Sequence, residues 1–525
     1  MNASMYEMRE NMKYWSADLK NGEYRNPILH TDYSDPDVIA VNGEFYMIAS
    51  SFTYLPGVPL LHSRDLVNWE LINYCVKSIP FEGYDRPVHG SGTWAPAIRY
   101  HDGWFYVFVP LPDEGIFMTK ARDPYGEWSP LHCVKAAKGW IDPCPFWDED
   151  GQAYMVHAFA NSRCGIKHRL DICRMAEDAS ALLDEGVQVY DGELQNPTIE
   201  GPKLYKRNGY YYIFAPAGGV EQGWQTVLRS EHIYGPYEAR IVMHQGDTAM
   251  NGPHQGGYVE LEDGSSWFIH FQDRDCYGRI VHLQPMCWVA DWPFIGLERN
   301  GDGIGEPVQT WRKPLCLDGE EPFINPSDEF EGSALGLRWQ WQANPRQEWY
   351  RMGARESCLR LFSQRNPKRP NLLWYAPNLL TEMLVMPEFE VRVLLELGDA
   401  RPGDKAGIAV IGHQYGGICI RMDEGYSIQV FEGTVTGKVY EGAAEEKVLY
   451  SKQIPSSRVY LRMTFADDGS FRFGYSMNGI RYFDMSQVFQ ASKSTWTGAK
   501  FALYCLNDLN NESDGYCDID YVRYE

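Results

Sequence analysis

The sequence predicts an all-β protein of two domains, a five-bladed β-propeller over residues 22–310 followed by a β-sandwich over 325–525. Three observations lead there. A short pattern recurs five times before residue 295. Aromatic residues reach 14% beside 49 glycines, a composition suited to strands joined by tight turns. Helical periodicity is almost absent, and the region from Leu359 onward alternates apolar and polar residues with period two.

Each repeat has a proline or glycine anchor, an apolar stretch, a turn and an aromatic-rich strand. Asp35-Pro36 leads to VNGEFYMIAS, Ala95-Pro96 to HDGWFYVFVP, and Asp142-Pro143 to DEDGQAYMVHAF. Gly201-Pro202 leads to RNGYYYIFAP, and Gly256-Gly257 to EDGSSWFIHF. The turn glycines Gly43, Gly103, Gly151, Gly209 and Gly264 follow one another at 60, 48, 58 and 55 residues. Each lies seven or eight residues beyond its anchor. Asn-Gly and Asp-Gly between apolar runs are strong hairpin signals, because a type I′ turn needs positive φ twice. LLHSRDLVNWE, GIFMTKARDPYGEWS and TVLRSEHIYGPYE add a third strand to three units. A lone hairpin is marginal in water, whereas five similar units bury one another when stacked radially. Five unrelated hairpins would not keep so regular a spacing.

The repeat stops after Phe294, and GLERNGDGIGEPVQTWRKP leads to a boundary near residue 325. Runs such as FEVRVLLEL, GIAVIGHQ, RVYLRMTFA and CDIDYVRYE then read as half-buried antiparallel strands of the sandwich.

Composition narrows the function. A net charge of −23, from 48 basic and 71 acidic residues, argues against nucleic acid and against an anionic membrane as partners. The longest apolar run, Trp104 to Pro112, is far below the ~20 residues that span a bilayer. The opening MNASMYEMRENMKYW carries acidic residues and no apolar core of a signal peptide, which predicts a cytoplasmic protein. The 12 cysteines are scattered without a CxxC pair and read as buried thiols.

In a propeller the first strand of each blade lines the central channel, so residues at the anchors converge on one axis. Blade one offers Asp35, blade three Asp142, blade four Glu200, and blade five His254 just before its anchor. An Asp-Pro by itself is ordinary turn chemistry. Three acids in repeat phase are not, since like charges held close in a pocket raise one another's pKa without helping the fold. Two carboxyl groups of unequal pKa are the equipment of glycoside hydrolysis, one protonating the leaving oxygen and the other activating water. Phe52, Trp94 and Trp140 lie beside the anchors or in the loop after the first hairpin and are candidate sugar-binding walls. Asp32 and Asp37 fall out of phase and read as surface or supporting residues.

At this point the chain resembles glycoside hydrolase family 43. The resemblance is carried by NPILHTDYSDPDVI, SSFTYLPGVPLLHSRDLVNWE, GTWAPAIRYHDGWFYV, IDPCPFWDEDGQAY and IEGPKLYKRNGYYYIFAPAGG, over about residues 22–300. NPSDEFEGSALGLRWQW from Asn325 is similar to the concanavalin-like sandwich appended to the family's β-xylosidases. The resemblance implies an inverting, exo-acting glycosidase releasing β-D-xylose, α-L-arabinofuranose or both from short oligosaccharides. It implies Asp35 as general base, Asp142 as pKa modulator and orienter, and Glu200 as general acid. His254 in GPHQGGYVE resembles the axial histidine that sits beneath the sugar or holds a water or calcium. Arg279 in CYGRIVHL resembles an arginine that contacts the sugar. The blade-two anchor Trp94-Ala95-Pro96-Ala97 departs from the family by lacking an acid after the proline, which leaves the sugar open.

No HExxH, P-loop or Rossmann pattern occurs. No cofactor is required. Asp328 and Asp520 are candidate ligands of a structural calcium, with two solvated carboxylates as the alternative. The implied partner is a small oligosaccharide, and a homo-oligomer stays open. Two other functions compete: an arabinanase acting on polymer, and a carbohydrate-binding propeller without catalysis.

Overall fold

The computed structural model describes residues 14–315, 322–365, 372–436, 443–509 and 511–525. The part of the N-terminal leader stretch at residues 1–13 lies outside them. The described residues form an all-β molecule, a five-bladed propeller joined to a two-sheet sandwich.

Every blade is a four-stranded antiparallel sheet with its strands in chain order. The first is Asp37–Val41, Glu44–Ile48, Gly57–Ser63 and Trp69–Val76. The second runs from Ala97–His101 to His132–Ala136, the third from Trp140–Trp147 to Val187–Asp191. The fourth runs from Lys203–Arg207 to Glu238–Met243, the fifth from His254–Glu260 to Trp292–Ile295. In Asn42-Gly43 and Asn208-Gly209 both residues have positive φ, 54° and 80° in the first and 50° and 82° in the second. That is the type I′ geometry the sequence signals, and it twists the two strands of the hairpin together.

The inner strands of blades one to four lie against one another in turn, that of blade five lies against that of blade one, and on its other side it meets the second and third strands of blade four. Gly257 makes this closure: a Cβ there would stand 2.9 Å from the Val38 backbone nitrogen. Among the described residues no strand is shared between blades one and five. Instead the N-terminal segment crosses blade five, where Tyr24 Oη and Asn26 Nδ2 both donate to the Leu283 carbonyl at 2.9 and 2.8 Å. Glu23–Arg25 then pairs with Thr310–Arg312.

In the sandwich, Phe389–Gly398 buries alternate residues, so Val391, Val393, Leu395 and Leu397 face the second sheet. Ile408, Val410, Ile418, Ile420, Ile428 and Val430 meet them from that sheet. This is the period-two pattern in three dimensions. The two domains dock tightly. Leu55 and Trp341 exchange backbone hydrogen bonds of 2.9 and 2.6 Å. The His89 ring stacks on Trp374 at 3.7 Å. The propeller's channel mouth thereby faces a sandwich loop at residues 493–498, which completes the site below.

Candidate active site

A cavity of about 100 Å³ opens at the propeller axis. Asp35, Asp142, Glu200, His254 and Arg279 all line it, together with Phe52 and Trp94. The chain bends sharply to aim these side chains. Asp35 and Asp142 have φ of 55° and 53°, Phe52 53° and Gln255 34°. Left-handed backbone at residues other than glycine costs ~1–3 kcal/mol each and persists where the surroundings enforce it, commonly at functional sites. In blades three and five the bends are β-bulges, between Ile141 and Cys144 and between His254 and Gly256. Bulges of this kind redirect side chains at the start of a strand.

Asp35 is buried and hydrogen-bonded on both carboxylate oxygens. Its Oδ2 accepts from Ser34 Oγ at 2.7 Å and Ser50 Oγ at 2.6 Å. Arg279 Nη1 donates to Oδ1 at 3.1 Å and to Ser34 Oγ at 2.7 Å. The Arg279 guanidinium also lies 4.8 Å over the Phe271 ring, a cation–π contact that fixes its plane. The base candidate is thus oriented from both sides.

Glu200 is part-exposed in the cavity, and His254 Nε2 lies 2.9 Å from its Oε1. Asp142 Oδ2 accepts the backbone N–H of Gly201 at 2.7 Å, the residue that follows Glu200. Asp142 therefore fixes the backbone from which the acid candidate projects. Burial, then the charge of Glu200, push the Asp142 carboxyl up to about 8, against the pull of the Gly201 N–H and Lys203. At neutral pH the raised carboxyl of this pair is Asp142, where the resemblance implied that Asp142 modulates the acid.

Trp140 is not among the cavity residues. Its ring stacks on His157 at 3.9 Å and meets Phe159 edge-on at 5.9 Å, on the side of blade three that packs on blade two. The bulge after Ile141 breaks the strand's alternation, so Trp140 and Asp142 do not share a face. Asp32 and Asp37 are buried rather than superficial. Asp37 Oδ2 takes the Ile98 N–H at 2.9 Å and Arg99 Nη1 at 2.7 Å, tying blade one to blade two. Asp32 accepts the N–H of Arg279 and the N–H of Gly498, each at 2.9 Å, and so links the site to the sandwich.

The two calcium candidates, Asp328 and Asp520, both pair with guanidinium groups. Arg338 and the Trp339 indole hold Asp328 at 3.2 and 2.9 Å. Arg355 and Arg458 hold Asp520. Their carboxylates are neutralised by guanidinium groups, and calcium wants six to eight oxygen ligands. Around His254, too, the described residues hold no group of three or more His, Cys, Asp or Glu arranged for a metal.

Beside the apolar Ala95, Ile141 and Val220, sequence reasoning missed two cavity residues, Gln255 and Trp496. Gln255 lies in the blade-five bulge, and its Oε1 is buried without a protein partner, like Trp94 Nε1 and His254 Nδ1. Buried polar atoms left unpaired cost ~1–3 kcal/mol, and a hydroxyl-rich ligand would satisfy them. Trp496 comes from the sandwich and meets Trp94 edge-on at 6.4 Å. Its only local signal was one tryptophan in a polar turn, KSTWTG.

The comparisons agree with this geometry. Residues 24–293 match the family described as Glycosyl hydrolases family 43. Residues 327–525 match the Beta xylosidase C-terminal Concanavalin A-like domain. A putative beta-xylosidase of Xylanibacter ruminicola is 40% identical over 491 residues, 93% of this chain and 87% of its own length. A beta-xylosidase of Formosa agariphila is 31% identical, covering 97% and 91%. A crystal structure of a family-43 protein from Bacillus licheniformis superposes with a TM-score of 0.82 at 26% identity, over 96% of this chain and 99% of that one. Three acids at the axis of a five-bladed propeller, with a concanavalin-like sandwich closing the mouth, are here a glycoside hydrolase: the chain belongs to glycosyl hydrolases family 43.

Proposed function

We propose that the chain is an inverting, exo-acting glycosidase that removes terminal pentose, β-D-xylose and/or α-L-arabinofuranose, from short oligosaccharides. The observation that carries this is the small cavity walled by Asp35, Asp142 and Glu200 and overhung by Trp496. A cavity of about 100 Å³ suits one terminal ring and gives a polymer no through-passage. Relatives named for xylosidase activity, and an alpha-L-arabinofuranosidase of Bacteroides ovatus that is 29% identical over 371 residues, support the choice of sugars.

In this reading Asp35 takes a proton from a water, whose oxygen attacks the anomeric carbon. Glu200 gives its proton to the glycosidic oxygen as that bond breaks, and the sugar leaves with inverted configuration. Arg279, Ser34 and Ser50 hold Asp35 in the orientation it needs. Asp142 holds Glu200 through the Gly201 N–H, and its own raised carboxyl keeps a proton beside the acid. His254 steadies the acid from the opposite side.

The test is a panel of nitrophenyl pentosides and hexosides, with the first-formed anomer read by proton NMR. Pentoside hydrolysis with inversion is expected. Retention would overturn the role of Asp35, and a preference for hexosides would overturn the choice of sugar.

A further inference from the structure

Lys203 is a fully buried lysine that the mechanism above does not use, with 0% of its surface exposed. It opens the inner strand of blade four, Lys203–Arg207, three residues after Glu200. Its Nζ donates to the Pro96 carbonyl of the blade-two anchor at 3.4 Å. Among the described residues no carboxylate stands within ion-pair distance of it. Burying a cation without an anion against it costs stability, so the fold gains nothing from this arrangement.

The placement shows where the charge acts. The inner strand of blade three lies between those of blades two and four. The Gly201 N–H donates to Asp142 Oδ2 at 2.7 Å, and the Leu204 N–H donates to Cys144 Sγ at 3.3 Å. The stretch carrying Lys203 is therefore laced along Asp142–Cys144. A side chain that starts there and ends at Pro96 crosses beneath the blade-three anchor, where Asp142 stands. Burial, then Glu200, raise the Asp142 carboxyl to about 8; Lys203 opposes them, and Asp35 adds a smaller push upward. The other charged groups around the pair have nearer partners. Arg279 Nη1 is 3.1 Å from Asp35 Oδ1, and His254 Nε2 is 2.9 Å from Glu200 Oε1. Arg99 and Asp37 close on one another at 2.7 Å.

We propose that Lys203 is a positioning residue of the acid–base machinery: standing beneath Asp142, it sets how readily Asp142 gives up the proton it keeps beside Glu200. The inference rests on the reading of Asp35 and Glu200 as base and acid. An ion pair at contact distance would strip Asp142 of its proton. With no cation at all, the proton would stay locked there to strongly alkaline pH. A cation held beyond ion-pair distance gives the intermediate case.

The test is the pH profile of kcat/KM on a nitrophenyl pentoside for the full chain and its Lys203→Met variant, with melting temperatures read over the same range. Methionine keeps the length and removes the charge. The alkaline limb is expected to move to higher pH by about one pH unit, the lower end of what a nearby charge contributes. At neutral pH the melting temperature should stay level or rise, because an apolar side chain replaces an unpaired buried charge. Relative to the parent it should then fall beyond about pH 8. There the variant's Asp142 still holds a proton that the unfolded chain has released, so its stability goes on declining after the parent's has levelled. Lys203→Arg keeps the charge and should leave the limb in place. Where arginine does not fold, Lys203→Gln serves, since a charge effect is the same for both neutral residues and a packing effect is not. In the Asp142→Asn background Lys203→Met should move the limb less than half as far, and an equal shift there would overturn the route through Asp142. An unmoved limb in Lys203→Met, or failure of both neutral variants to fold, would make Lys203 a structural brace and overturn the proposal. Absence of pentoside hydrolysis in the parent would instead strike the acid–base reading, and the melting curves would still report on Lys203.

Discussion

Asp142 in the propeller and Asp404 in the sandwich are both shut away from water, with 2% and 0% of their surfaces exposed. Their surroundings differ. Asp404 accepts from Ser363 Oγ at 2.6 Å, Ser513 Oγ at 2.5 Å, Asn507 Nδ2 at 3.0 Å and the Arg401 N–H at 2.7 Å. Asp142 accepts, among the described residues, the single N–H of Gly201 and faces a second acid, Glu200. A buried carboxylate surrounded by donors is a brace that joins chain segments. One given too few donors and a like charge stores electrostatic cost, and that cost has use only if a proton is to move. The same contrast holds for ion pairs: Lys405 and Glu446 in the sandwich meet at 2.9 Å with Tyr415 Oη completing the acid, while Arg279 holds Asp35 at the edge of a cavity.

The contrast is broken most sharply at Asp35 and Glu200. General acid–base catalysis supplies ~10²–10⁴-fold, so Asp35→Ala should lower kcat per folded molecule by that order on every substrate. Glu200→Ala should lose as much on oligosaccharides but recover part of its rate on nitrophenyl pentosides, whose leaving group needs little protonation. Steady-state kinetics over a series of leaving groups separates the two. Equal loss for both variants at every leaving group would remove the distinction between base and acid.

Asp404→Ala tests the other half. Four donors would lose their acceptor, and a stranded buried donor costs ~1–3 kcal/mol. Denaturant unfolding should show a loss of about 3 kcal/mol or more, with kcat per folded molecule kept. Lost kcat at full stability would mean that Asp404 is no mere brace.

The propeller was legible in the sequence because its turn chemistry repeats: Asn42-Gly43, Asp102-Gly103 and Asn208-Gly209 state the hairpins outright. The acids followed from phase. What failed was whatever depends on bends or on remote partners. Trp140 was misplaced because the bulge at Asp142-Pro143 interrupts the alternation that a strand pattern assumes. Asp328 and Asp520 looked like metal ligands because Arg338, Arg355 and Arg458, which neutralise them, are set by sheet register and not by neighbouring sequence. Trp496 reaches a cavity whose other residues end at Arg279, and only domain docking brings it there.

The smallest and most informative effect is expected at Asp142→Asn. Burial and the charge of Glu200 raise the Asp142 carboxyl to about 8, so Asp142 keeps a proton beside Glu200 at neutral pH. In the empty site burial puts it on Asp142. When a sugar covers Glu200 and its glycosidic oxygen offers an acceptor, the same proton is available to the acid. Asparagine keeps the shape but carries no such proton, so Glu200 loses this neighbouring donor. The alkaline limb of kcat/KM should therefore move to lower pH, with neutral-pH activity falling more than substrate affinity. Stability should respond in the opposite sense. Both folded and unfolded states are protonated below the ordinary value of 3.8, and the native state keeps its proton up to about 8. That contribution to native stability is lost as pH rises between these values. The asparagine variant has no such loss, so its melting temperature relative to wild type should climb across this window. An unmoved alkaline limb together with a pH-independent difference in melting temperature would place Asp142 with Asp404, as a brace.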